Sequence, residues 1–247
     1  MTDGLLLLHA FPLDSTMWEP QVSALSGKII VVAPNFPGFG GGTTPPETTE
    51  MEAAAAVAEA ALTDAGVERA VVCGLSMGGY AALAFWRGNP DRTAGLVLAN
   101  TRAGADDEAG KDRRRALARR LRQEGSEFLV EDPPPLLSAN APPELWSRVK
   151  DIIRAQSAEA IAAASLGMAA RPDFTDLLNE IRVPTLVITS TGDTLIPPDA
   201  SRPLAEAIPG AALETIEGAG HLSSLEAPEA FNRLLRGHLA TCGVLSG

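Results

Sequence analysis

The chain has 247 residues, 45% of them apolar and 21% charged. At roughly 150 residues per domain this fits one domain carrying an insertion, large enough to bury about 70–75% of its unfolded surface without disulfides or a structural metal. Twenty basic against 31 acidic residues leave a net charge of −11, which excludes the cationic footprint that phosphate backbones require.

The two cysteines, Cys73 and Cys242, have no zinc-like spacing. Met1-Thr2-Asp3-Gly4 carries no basic leader region, and no apolar run approaches the 18 or so residues of a membrane span. These features lead to the expectation of a soluble, cytoplasmic protein.

In chain order, short apolar runs at Leu5 to Leu8, Ile29 to Ala33, Ala70 to Cys73, Leu96 to Ala99, Thr185 to Thr189 and Leu213 to Ile216 read as strands. Helix-length stretches separate most of them. Continuous apolar strands belong to a sheet covered on both faces, which predicts an α/β fold with a doubly wound, mostly parallel sheet of about six strands. Thr49-Glu50-Met51-Glu52 has capping-box spacing and predicts the start of an alanine-rich helix ending near Gly66. Further helices are expected over Met77 to Trp86, Pro198 to Ile208 and Pro228 to Leu239. From about Thr101 to Arg171 no strand run occurs, while charge, proline and helix signals cluster. Residues 101–171 are therefore read as a helical cap inserted into a core of residues 1–100 and 172–247.

Gly74-Leu75-Ser76-Met77-Gly78-Gly79 lies between a strand and a helix, the context of a nucleophile elbow. Such a turn lifts a serine Oγ clear of the sheet and sets it at a helix N-terminus, where developing negative charge is favoured. A serine needs a base. Of the three histidines, His221 follows a strand through the flexible Glu217-Gly218-Ala219-Gly220 loop and is the expected general base; His238 sits inside the last helix and reads as packing or surface. Asp193, just past the strand ending at Thr189, is the expected orienting acid, its bland alternative being an Asx-turn residue beside Gly192. The backbone N–H groups of Met77 and Phe11 are the expected oxyanion donors. His9 is expected to orient the Phe11 loop through hydrogen bonds, or simply to be a satisfied buried histidine. Metal ligation is not indicated.

His9-Ala10-Phe11-Pro12, Asn35-Phe36-Pro37-Gly38-Phe39-Gly40, the Ser76 elbow, Gly192-Asp193 and Gly218-Ala219-Gly220-His221 together resemble the α/β-hydrolase superfamily, along nearly the whole chain outside the insertion. Within it the chain is similar to small bacterial esterases resembling 3-oxoadipate enol-lactonases, and to the cofactor-free haloperoxidase and perhydrolase group. The resemblance implies serine acyl-enzyme chemistry on small esters or lactones, without metal or cofactor. Perhydrolysis or halogenation, carbon–carbon bond hydrolysis and a catalytically silent ligand-binding hydrolase fold are the alternatives. Some members place the acid one strand earlier; here that strand ends in Asn100, which cannot carry the charge. Two departures stand out. Ala10 replaces the usual glycine of the oxyanion loop, and the usual N-terminal antiparallel hairpin is missing. The second departure exposes Lys28 to Ala33 as a sheet edge, to be paired in a homodimer or covered by a terminus.

Seven cations crowd the segment 111–122: Lys111, Arg113, Arg114, Arg115, Arg119, Arg120 and Arg122. One reading is a cationic rim attracting carboxylate-bearing substrates. The favoured reading is a solvated helix face tied to Asp106, Asp107, Glu108 and Asp112. Trp146, Ile153 and Met168, with Ile152 and Leu166, are expected as the apolar, substrate-binding wall over the site.

Overall fold

The computed structural model describes residues 2–245. The six expected strands are present: β1 (Asp3–Leu8), β2 (Ile30–Val32), β3 (Arg69–Leu75), β4 (Thr93–Ala99), β5 (Thr185–Ser190) and β6 (Ala212–Ile216). They form one parallel sheet in the order β2-β1-β3-β4-β5-β6. Leu5, Leu6, Leu7 and Leu8 are all fully buried. Alternate residues of a strand point to opposite faces, so both faces of β1 are covered.

Helices α1 (Glu19–Leu25), α2 (Met51–Asp64) and α3 (Met77–Gly88) fall among the first four strands, and α4 (Glu108–Glu124), α5 (Glu127–Glu131), α6 (Pro143–Arg154) and α7 (Ala158–Ala170) lie between β4 and β5. The chain closes with α8 (Pro198–Ala207), α9 (Ser223–Glu226) and α10 (Pro228–Thr241). Proline opens α6, α8 and α10, a position where its missing N–H costs nothing. In the stretch between β4 and β5, α4 packs along α7. No described helix is long and apolar enough to cross a membrane.

The expected capping box does not form. Helix α2 starts at Met51 with Glu50 as its cap and no side-chain cap bond, which leaves Thr49 one residue too early. Packing decides this. The Thr49 N–H donates to the Ala163 carbonyl at 3.0 Å, and the Thr49 carbonyl faces Gly167, where a Cβ would collide with it. The Thr49 hydroxyl is buried without a partner.

Strand β2 forms an edge of the sheet, with Ile30 41% exposed. The described end of the chain lies elsewhere: Cys242 sits against Gly95 of β4.

Candidate active site

The turn that carries Ser76 is built where β3 runs into α3. Ser76 has φ 58° and ψ −115°, a strained conformation for a residue with a Cβ. Its surroundings enforce it. The Ser76 N–H donates to the Ala99 carbonyl at 3.0 Å, and the Ser76 carbonyl accepts from the Thr101 hydroxyl at 2.8 Å and the Gly79 N–H at 2.9 Å. A Cβ at Gly74 would strike the Gly78 carbonyl, and one at Gly78 the Leu8 carbonyl, so only glycine lets strand, turn and helix pass this closely. Below the turn, burial pushes the Cys73 thiol well above its ordinary pKa, which makes it a packing residue.

Asp193 and His221 come from loops after β5 and β6. The His221 Nδ1 lies 2.8 Å from the Asp193 Oδ2. The other carboxylate oxygen, Oδ1, accepts the Leu195 and Ile196 N–H groups, each at 2.9 Å. Asp193 is thus an Asx-turn residue and the histidine's partner at once. Burial pushes its carboxyl pKa up; the His221 hydrogen bond and charge, the Ile196 amide and Asn100 together outweigh that and hold it below the ordinary value. Ser76 and His221 line one cavity of about 380 Å³, together with Phe11, Tyr80, Pro134, Leu136, Met168, Leu195 and Ile196.

Ala10, in the loop expected to supply an oxyanion donor, avoids positive φ, so the absent glycine imposes no strain there. Its N–H donates to the Met17 sulfur at 3.2 Å. The Phe36 N–H donates to His9 Nε2 at 3.1 Å, leaving Nδ1 as the protonated nitrogen, 3.1 Å from the Ala10 carbonyl. Both readings of His9 hold together: it is a satisfied buried histidine, and it ties the Phe11 loop to the Phe36 turn. Burial lowers its pKa to about 4 against the weaker pull of the Ala10 carbonyl, so the ring is neutral at pH 7. Neither the Phe11 nor the Met77 N–H is spent on a backbone acceptor in the described loops, and Met77 heads α3, where amides lack intrahelical partners.

Of the five expected wall residues, only Met168 lines the Ser76 cavity. Trp146 lines a separate groove with Pro133, Pro135, Leu137 and Lys150. The segment 133–137 separates the two, presenting Pro134 and Leu136 to the Ser76 cavity and Pro133, Pro135 and Leu137 to the groove. Ile153 is fully buried on the packed face of α6 with Val149 and Ile152, outside the cavity lining. Six of the seven cations divide as well. Lys111, Arg115 and Arg120 pair with Glu108, Asp112 and Glu124 on the helix surface, and Arg122 reaches the Glu47 carbonyl. Arg113 and Arg114, however, line the Ser76 cavity with Arg102.

Asn100 has a role beyond its missing charge. Its Nδ2 donates to Asp193 Oδ2 at 2.9 Å and to the Ser190 hydroxyl at 2.7 Å, while its Oδ1 accepts from the Ser223 hydroxyl at 2.6 Å. The Ser190 hydroxyl in turn donates to the Gly220 carbonyl at 2.6 Å. The His221 loop is also held from outside. Glu226 Oε2 accepts the N–H groups of Gly220 and Ser138, each at 2.9 Å, and the Leu222 N–H donates to the Leu136 carbonyl at 2.8 Å. Among the described residues no group of three or more His, Cys, Asp or Glu side chains is arranged to hold a metal ion.

Residues 5–234 match the sequence profile of the alpha/beta hydrolase family. The chain belongs to that family. It is similar in structure to a thermophilic esterase from Thermogutta terrifontis solved with malate bound (39% identity, TM-score 0.91, covering 98% of this chain and 90% of that one). It is also similar to the enol-lactonase from Burkholderia xenovorans LB400 (28% identity, TM-score 0.87, covering 97% and 92%). Among curated sequences it is 30% identical over 248 residues to the pimeloyl-(acyl-carrier protein) methyl ester esterase of Aromatoleum aromaticum, covering 91% of this chain and 93% of that protein. The alpha/beta hydrolase fold expected from the sequence, a six-stranded parallel sheet with flanking helices, is the fold these relatives share.

Proposed function

We propose that this alpha/beta hydrolase cleaves small carboxylic esters or lactones through a serine acyl-enzyme, with residues 101–171 acting as its cap. The observation that carries this reading is the 2.8 Å contact between His221 and Asp193 at a cavity that Ser76 and His221 both line. Ser76 attacks the acyl carbon while His221 Nε2 takes its proton. Asp193 keeps the imidazole's Nδ1 protonated and stabilises the imidazolium that forms. The Met77 and Phe11 amides receive the oxyanion, helped by the N-terminal end of α3. His221 returns its proton to the leaving alcohol. A water then attacks the acyl-enzyme with His221 again as base, releasing the acid and restoring Ser76.

The test combines turnover of p-nitrophenyl acetate and butyrate with covalent labelling by a fluorophosphonate. Ester turnover, and a label that maps to Ser76 and vanishes in Ser76→Ala, are expected. Undiminished turnover in a folded Ser76→Ala protein would overturn the assignment, and absence of both label and turnover in the wild type would favour a ligand-binding role.

A further inference from the structure

We propose that the mouth of the Ser76 cavity is an anion site, and that the enzyme selects small esters carrying a second, ionised carboxyl group. This deepens the serine-hydrolase reading and rests on it. Arg102, Arg113 and Arg114 line the cavity that holds Ser76 and His221. The same three arginines, with Leu117, also line an adjoining pocket of about 290 Å³ beside Asp106 and Gly110. The two pockets share one cationic wall.

That wall's positive charge is not cancelled from within. Asp106 is the one acid lining either pocket among the described residues, and its side chain is only 3% exposed. It is shared by Arg102, Arg114 and Arg171, the last of these at 2.9 Å. Burial pushes the Asp106 carboxyl up, but the hydrogen bonds from Arg171 and Arg114 and their charges hold it far below the ordinary range, so it stays ionised and engaged. Arg171 is buried behind the cavity wall, stacked 4.2 Å from the Tyr80 ring centroid. Arg113 is exposed and forms no ion pair or hydrogen bond among the described residues. Three guanidinium groups therefore share one carboxylate and Arg113 stands beside them unpaired among the described residues, in a protein whose net charge is −11.

A guanidinium presents a planar fork of donors that matches a carboxylate. Arg102 and Arg114 are already oriented by Asp106, so a ligand anion finds two placed cations and a third, Arg113, free to close on it. Apart from Ser76, His221 and Tyr80, the rest of the lining is apolar, Phe11, Leu136, Met168 and Ile196 among it. A short hydrocarbon spacer between the ester and the distant carboxylate suits such walls.

The test compares matched esters with the wild-type enzyme, Arg113→Gln and Arg113→Glu. Monomethyl glutarate against methyl pentanoate places the charge on the acyl side; 4-acetoxybenzoate against its methyl ester places it on the leaving group. For at least one pair, the anionic ester should exceed its neutral partner in kcat/KM by roughly tenfold at low salt, whichever pair responds identifying the side bound. That ratio should shrink as salt rises to about 0.5 M, where the screening length is only a few ångströms. It should approach one in Arg113→Gln and fall below one in Arg113→Glu. A wild-type ratio at or below one for both pairs, or a ratio unmoved in Arg113→Glu, overturns the proposal. Calorimetric titration with glutarate reads the mouth without turnover. Saturable binding that weakens in Arg113→Glu supports the anion site even if no ester is hydrolysed, in which case it is the hydrolase reading that fails; no binding to the wild type counts against the site.

Discussion

Asn100 Nδ2 donates to the same oxygen of Asp193, Oδ2, that His221 meets from the opposite loop, at 2.9 Å and 2.8 Å respectively. The amide therefore does for the carboxylate what the carboxylate does for the imidazole. Replacing it by alanine removes a donor that favours the ionised form, so the Asp193 pKa should rise from its lowered position. The acid limb of the pH–rate profile should move to higher pH and kcat should fall with KM little changed. Stability should drop by about 1–3 kcal/mol for the Ser223 hydroxyl left unpaired, while the Ser190 hydroxyl keeps its bond to the Gly220 carbonyl. An unaltered pH profile in Asn100→Ala would mean that the amide serves packing alone.

The three residues of the proposed triad should fail unequally. By analogy with serine protease triads, Ser76→Ala or His221→Ala should lower kcat on the order of a million-fold, and Asp193→Asn about ten-thousand-fold, because a neutral amide no longer selects the imidazole tautomer. Steady-state assays with circular dichroism as a folding control check this. Equal kcat for Asp193→Asn and wild type would remove Asp193 from the mechanism.

Acid should unfold the protein in two separable stages. His9 has a folded pKa near 4 against 6.5 in the unfolded chain. Its contribution is fully present above about pH 6.5 and is lost as pH falls toward 4, by up to about 3 kcal/mol. His238, lowered by burial in the same direction, adds to this window. Asp193 and Asp106, both held low, contribute above the ordinary carboxyl pKa and are lost only at lower pH. Urea midpoints should decline between pH 6.5 and 4, and less steeply in His9→Gln, whose amide can still accept from Phe36 and donate to Ala10. Identical slopes in the two proteins would remove His9 as the source.

Two glycines of α3 should respond oppositely to alanine. A Cβ at Gly78 meets the Leu8 and His9 carbonyls, whereas Gly88 faces open space. Gly78→Ala should cost about 3 kcal/mol or more, while Gly88→Ala should gain about 0.4–1 kcal/mol by restricting the unfolded chain. Differential scanning calorimetry reads both; a Gly78→Ala protein as stable as wild type would contradict the tight crossing at the elbow.

The sheet was legible because each buried strand is an apolar run, and the Ser76 turn because its glycines are demanded by backbone collisions at fixed spacing. The Thr49 box misled because a local pattern carries no knowledge that Ala163 and Gly167 dock on that backbone. Asn100 was judged by its charge alone, although β4 delivers it to the acid's side. For the basic run, the sequence did hold a usable signal. Arg114 shares the helical stripe of Ala118 and Leu121, both buried, and an arginine on an apolar stripe points inward. Trp146 and Ile153 were unreadable in another way, since nothing local tells that a proline-rich segment stands between α6 and the cavity.

The bonds from Leu136 to Leu222 and from Glu226 to Ser138 and Gly220 fasten one wall of the cavity to the histidine's own loop. Swinging that wall outward would drag His221 away from Asp193, the contact on which the proposed mechanism depends. On the proposed mechanism, traffic is better served along α4, where displacing a solvated guanidinium leaves His221 and Asp193 in contact.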